Sequence, residues 1–207
     1  MFLKDTFIIN SDNDKDLPII GDLTYSKNSE NLVIFCHGFK GFKDWGAFNY
    51  ISKFFAKNNY VFLKFNFSHN GTTVNHPCEF NDLDAFSKNN FCKELDDLNL
   101  VLNWIFECDV FKKEVDFKKI ILFGHSRGGA ISILKSAEDN RLSKIISWSA
   151  PSNLLSRLPV KEKVEVWKKT NVAYVYNGRT KQNMPINFQF YLNCINNSNR
   201  INLELAI

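Results

Sequence analysis

Apolar residues along this chain fall into short unbroken runs, separated by segments where they recur every three or four positions. The unbroken runs predict strands buried on both faces, and the helical spacing predicts helices with one covered side. Leu32-Val33-Ile34-Phe35-Cys36, residues 60–67, Ile120-Ile121-Leu122-Phe123 and residues 144–148 are the runs. Phe48, Ile51, Phe54 and Phe55 mark a first helix closing near Asn58-Asn59. Leu95, Leu98, Val101, Leu102 and Ile105 mark a second, and Ala130, Ile133, Leu134 and Ala137 a third. Strands alternating with helices in this way imply βαβ units and a parallel sheet.

Ahead of these units, residues 6–9 and 17–25 read as two strands around a polar turn, with Pro18 suiting an edge position. Residues 72–90 are polar and irregular. After Pro151 the pattern loosens. Residues 160–170 predict an exposed helix, and residues 172–176 a strand followed by Asn177-Gly178, the pair favoured in type I′ turns. No repeat, low-complexity tract or linker interrupts the chain, so residues 1–207 are expected to form one α/β domain.

Composition narrows the function classes. A hydrophobic fraction of 44% with 23% charged residues belongs to a folded globular protein rather than a disordered one. The net charge of +4 is spread among interspersed acids and bases, as in Lys161-Glu162-Lys163, which suits a solvated surface better than a nucleic-acid footprint. Five cysteines (Cys36, Cys78, Cys92, Cys108, Cys194) lack C-x-x-C spacing, which favours reduced thiols over a disulfide framework or zinc site. Met1-Phe2-Leu3-Lys4-Asp5 meets charge too early for a signal peptide, and no window approaches the ~20 apolar residues of a membrane span. A cytoplasmic protein without a membrane partner is the expectation.

The candidate chemistry lies in Gly124-His125-Ser126-Arg127-Gly128. A G-x-S-x-G string arises by chance in a chain this long roughly one time in fifteen. Its setting here, a buried strand before it and a helix after it, is the one a nucleophilic serine requires. Gly124 and Gly128 permit close backbone approach around a strained turn, which lifts the Ser126 hydroxyl clear of the sheet. The Arg127 backbone N–H, at the positive end of the helix, is then a donor to a developing oxyanion. The second donor is expected in the loop after the Leu32 strand, where Gly38 allows close approach and the Phe39 N–H is the candidate. His37 is read as a structural loop residue there.

Val33-Ile34-Phe35-Cys36-His37-Gly38-Phe39, Phe65-Asn66-Phe67-Ser68-His69-Asn70-Gly71, Ile121-Leu122-Phe123-Gly124-His125-Ser126-Arg127-Gly128-Gly129 and Trp148-Ser149-Ala150-Pro151 together resemble the α/β-hydrolase superfamily. They look most like its cytosolic bacterial branch of dienelactone hydrolases and serine aminopeptidases. The resemblance implies an α/β-hydrolase fold, with a mostly parallel sheet covered by helices on both faces. It also implies a serine attacking an ester, thioester or acyl-peptide carbonyl without a cofactor, and a cap-like region over about residues 152–207. Arg179 in the cap-like loop is read as a surface residue or a contact for an anionic substrate.

The sequence departs from that family in one respect. Its triad runs Ser, acid, His along the chain, yet all four histidines here (His37, His69, His76, His125) precede Ser126. The last strands, with the acid and the base, are therefore read as missing, and the activity as impaired. His69 is a remote candidate for a substitute base. A sheet without its last strands would expose an edge open to a homodimer or a companion chain. A binding or interaction module that has kept the fold without the activity is the alternative.

Overall fold

The computed structural model describes residues 2–11, 14–27, 29–107 and 119–206. A six-stranded sheet runs in the order β1-β2-β4-β3-β5-β6. It comprises β1 (Leu3–Ser11), β2 (Asp14–Tyr25), β3 (Asn31–Cys36), β4 (Tyr60–Phe65), β5 (Ile120–His125) and β6 (Leu142–Trp148). The β1–β2 and β2–β4 pairs are antiparallel, and the three pairs made by β3, β4, β5 and β6 are parallel. The helices are α1 (Phe48–Lys57), α2 (Leu83–Ser87), α3 (Phe91–Glu107) and α4 (Arg127–Glu138).

Pleating sends successive side chains to opposite faces, so each unbroken apolar run feeds two cores. Val33 and Phe35 of β3, Phe62 of β4, and Ile121 and Phe123 of β5 meet Phe48, Ile51 and Phe55 of α1 on one face. Leu32, Ile34, Cys36, Val61, Leu63, Phe65 and Leu122 meet Leu95, Leu98, Val101 and Leu102 of α3 and Ala130, Ile131 and Leu134 of α4 on the other. Lys64 shares the α1 side with Phe62, a cation inside a buried strand. Among the described residues no strand pairs with the outer edge of β6, and Ile146 and Trp148 are exposed there.

Beyond β6 come α5 (Lys161–Thr170), the antiparallel hairpin β7 (Val172–Asn177) and β8 (Gln182–Asn187), and α6 (Gln189–Asn196). Val164, Trp167 and Phe188 form a small core of their own, and the Trp167 Nε1–H donates to the Ile186 carbonyl at 2.9 Å. The hairpin docks onto the main body through Lys40 Nζ, which donates to the Tyr176 carbonyl (3.0 Å), and Gln182 Nε2, which donates to the Phe80 carbonyl (3.0 Å).

Three expectations need correction. The β7–β8 connection is not a two-residue type I′ turn. Asn177 pairs with Gln182, neither Asn177 nor Gly178 takes positive φ, and Lys181 does instead, its N–H donating to the Asn177 carbonyl at 2.9 Å. A four-residue loop thus replaces the turn. Pro18 belongs to an inner strand, but β4 pairs only with residues 21–24 of β2, so the proline meets no ladder on that side. The stretch read as irregular contains α2, a helix too short to show periodicity, which Asp82 caps by accepting from the Ala85 N–H at 2.8 Å. Among the described residues Cys36, Cys78, Cys92 and Cys194 are free thiols, while Cys108 lies outside them. No helix among the described residues is long and apolar enough to cross a membrane.

Candidate active site

β5 passes into α4 through a single residue. Ser126 adopts φ +53° and ψ −123°, a conformation that side chains disfavour and that persists only where its surroundings fix it. They do so from both sides. The Ser126 N–H donates to the Trp148 carbonyl at 2.8 Å, and the Ser126 carbonyl accepts from the N–H groups of Gly129 (2.9 Å) and Ala130 (3.3 Å). Around the turn the backbone is packed so closely that side chains are excluded. A Cβ on Gly124 would collide with the Gly128 carbonyl, and one on Gly128 would collide with the carbonyls of Cys36 and His37.

The loop after β3 lies against this turn, with Gly38 placed so that a Cβ there would stand 3.1 Å from the Ser126 Cβ. His37 braces the loop from beneath. Its Nδ1 lies 3.0 Å from the Gly38 carbonyl, and its Nε2 accepts from the Phe67 N–H at 3.3 Å and faces Asn70 Nδ2 at 3.4 Å. These partners match one neutral tautomer, protonated on Nδ1, as inferred from the network. Burial pushes the His37 pKa down to about 4. A second support comes from charge. Lys43 and Lys64 are buried with Asp22 and Asp44, with Lys43 Nζ 2.6 Å from Asp22 and 2.5 Å from Asp44, and Lys64 Nζ 3.0 Å from Asp22 and in close contact with Asp44. The Lys43 N–H also donates to Asn66 Oδ1 at 2.7 Å, so the loop is tied to both β2 and the end of β4.

Ser126 opens onto a cleft of about 380 Å³. Phe39, Phe91, Leu154, Leu158, Val175, Ile186 and Phe190 supply its apolar walls, so the segments after β6 close one side of it. Phe39 and Arg127 line the same cleft, and no hydrogen bond among the described residues engages either backbone N–H. The Arg127 side chain turns away from solvent. It pairs with Glu94 and lies 5.1, 4.7 and 5.8 Å from the ring centres of Phe39, Phe91 and Phe190.

Other predicted or titratable residues lie elsewhere. His125 packs on Trp148 and Phe48, and burial lowers its pKa. His69 is buried with Nδ1 2.7 Å from Ser68 Oγ, which in turn donates to Asp97. His76 is exposed and lies 3.5 Å from Glu79. Arg179 stacks 3.6 Å from the Trp45 ring centre and donates to the Lys40 carbonyl, so it stays out of the cleft. Among the described residues lining the cleft there is no histidine and no carboxylate.

Glu94 and Asp97 escaped the sequence reading, although they had left a signal. Both fall on the apolar side of α3, four residues before Leu98 and Val101, where a solvated acid has no place. Burial pushes the Asp97 pKa up to about 7, against the opposing pull of hydrogen bonds from the Ser68 N–H and hydroxyl.

Residues 87–195, slightly over half of the chain, match the model of the family described as platelet-activating factor acetylhydrolase, isoform II. The chain belongs to that family. It is thereby a member of the α/β-hydrolase superfamily. The protein of Mycoplasma pneumoniae named esterase/lipase 2 is 30% identical over 131 residues, covering 63% of this chain and 41% of that protein. Its counterpart in Mycoplasma genitalium is 32% identical over 130 residues, with the same coverage. The matched region thus spans about two fifths of the length of these relatives. Among solved structures, the α/β hydrolase GrgF from Penicillium superposes with a TM-score of 0.66 at 16% identity, covering 97% of this chain and 68% of that one. Est1E from Butyrivibrio proteoclasticus gives 0.62 at 14% identity, covering 92% and 69%. At these identities the likeness is one of fold, and it includes the parallel sheet with helices on both faces.

Proposed function

We propose that this chain is a serine esterase in which Ser126 is the nucleophile and the backbone N–H groups of Phe39 and Arg127 form the oxyanion hole. The observation that carries this reading is the strained Ser126 backbone at the strand-to-helix turn, a nucleophile elbow opening onto the cleft that those two residues share. Ser126 Oγ attacks the ester carbonyl carbon, and the carbonyl oxygen gains the charge that the two N–H groups receive. The C–O bond to the alcohol then breaks, and the alcohol leaves with a proton from water. A second water releases the acid and restores Ser126. The apolar walls suit an uncharged acyl group, and a cleft of this size holds a small ester. No cofactor takes part.

Among the described residues no cleft side chain is placed to take the Ser126 proton, so in this proposal water or hydroxide takes it, and slow turnover is expected. An oxyanion hole with substrate binding still leaves roughly 10³–10⁴-fold acceleration over water. That same lack of a base favours a second reading, a binding module that retains the fold.

Hydrolysis of p-nitrophenyl acetate and butyrate tests the proposal. The native chain should exceed buffer, Ser126→Ala should match buffer, and the rate should climb with pH without an imidazole inflection near 6.5. Equal rates for the native chain and Ser126→Ala would overturn Ser126 as nucleophile. Tight ester binding without turnover would favour the binding module.

A further inference from the structure

The two backbone N–H groups assigned to the oxyanion hole belong to separate loops, one after β3 and one at the start of α4. No backbone hydrogen bond joins Phe39 to Arg127 among the described residues. Their side chains, however, meet. The Arg127 guanidinium carbon lies 5.1 Å from the centre of the Phe39 ring, within cation–π range. Phe91 of α3 at 4.7 Å and Phe190 of α6 at 5.8 Å complete an aromatic cage around it.

Glu94 sets the position of that guanidinium. Arg127 Nε–H donates to Glu94 Oε2 at 2.9 Å, and Nη2 approaches Oε1 to 2.6 Å. The second approach is an ion-pair contact, without a hydrogen bond from Nη2. The Arg127 and Glu94 side chains are 10% and 6% exposed. Glu94 is itself fixed, because Asn89 Nδ2 donates to Oε1 at 2.9 Å, and the Asn89 carbonyl accepts from Gln189 Nε2 at 3.0 Å. The chain of contact therefore runs from α6 through Asn89 and Glu94 to Arg127, and across its guanidinium to Phe39.

We infer that Glu94 is a positioning residue: through the Arg127 guanidinium it locks the Phe39 and Arg127 backbones in the relative placement that an oxyanion requires. This rests on Ser126 being the nucleophile. Two physical points favour it over a purely structural pair. A buried ion pair gives little net stability compared with apolar residues of similar volume, so stability alone does not account for it. Reaction rate, by contrast, is sensitive to the placement of donors, with about a hundredfold loss for a misplacement near 1 Å.

The test separates rate from stability. Glu94→Leu combined with Arg127→Met keeps the volume and removes both charges, so the chain should fold with a Tm within a few degrees of native. Glu94→Gln keeps an acceptor for the Arg127 Nε–H and serves as the milder variant. Second-order labelling by a fluorophosphonate and kcat on p-nitrophenyl acetate, both per titrated Ser126, should fall roughly tenfold to hundredfold in the double variant, with KM within about threefold. Glu94→Gln should lose about threefold to tenfold, all of it in kcat. A folded double variant and a Glu94→Gln variant that both react at the native rate would overturn the positioning role while leaving Ser126 as nucleophile. A native chain that labels no faster than Ser126→Ala would overturn both.

Discussion

The four charges of Asp22, Lys43, Asp44 and Lys64 and the two of Glu94 and Arg127 are each neutral in sum, and all but the half-buried Asp44 are buried, yet they hold different parts of the molecule. The first group joins β2, β4 and the loop after β3 on the α1 side of the sheet. The second sits between α3 and the start of α4, beside the cleft. The quartet holds the far end of the loop that carries Phe39, at Lys43 and Asp44, and none of its four side chains lines the cleft. The pair grips the residue next to Ser126 and, through it, Phe39. On the proposed function, stability rests chiefly on the quartet and reactivity chiefly on the pair.

The largest expected effect breaks the quartet. Asp22→Asn leaves two buried ammonium groups facing only Asp44, and should cost about 3–5 kcal/mol in urea unfolding. Per folded molecule, Ser126 labelling should stay within about twofold. A variant of native stability and much-reduced labelling would reverse the assignment. Gly128→Ala is next in size, because its methyl group must displace the carbonyls of Cys36 and His37. It should cost about 2–3 kcal/mol and also abolish labelling, since this is where scaffold and reactive turn coincide. Retained labelling in a destabilised variant would show that the turn tolerates more movement than the packing implies.

Acid sharpens the contrast further. The Asp44 pKa is lowered to about 2, below its ordinary 3.8, by hydrogen bonds and charge from Lys43 and Lys64 that overcome the burial opposing them. Its contribution is therefore complete above about pH 4 and lost as pH falls towards 2. Circular dichroism in acid should show unfolding in that window, and Asp44→Asn should make the loss shallower.

The smallest effect comes from two groups that titrate in opposition. His37, pushed down to about 4, takes up protons on unfolding, so it adds stability as pH rises from 4 to 6.5. Asp97, pushed up to about 7, releases a proton on unfolding, so stability falls as pH rises from about 4 to 7. The native chain should thus show a nearly level urea midpoint between pH 4 and 6.5. Asp97→Asn should expose a midpoint that rises across that window. A level profile in the variant would remove His37 from the account.

Much of this architecture was legible in the sequence because it depends on local pattern. Unbroken apolar runs and helical spacing located the strands and long helices of the sheet, and two glycines around Ser126 marked the turn. The charged assemblies were not legible as pairs, because their partners come from separate elements. Lys64 within an apolar strand and Glu94 on an apolar helix face did signal buried charge, but spacing alone could not name Asp22 or Arg127 as partners. The Asn177-Gly178 turn misled for a related reason. Lys40, Trp45 and Phe80 dock the hairpin from elsewhere in the chain, and local turn preference did not decide its loop.

Mapping the adduct formed by a fluorophosphonate tests the central claim most directly. Trypsin cleaves after Lys119 and Arg127, so Ser126 is the only serine in the peptide spanning residues 120–127. The native chain should carry the adduct mass on that peptide after prolonged exposure, and Ser126→Ala should carry none. An adduct confined to other serines, or an equal adduct yield in Ser126→Ala, would contradict it.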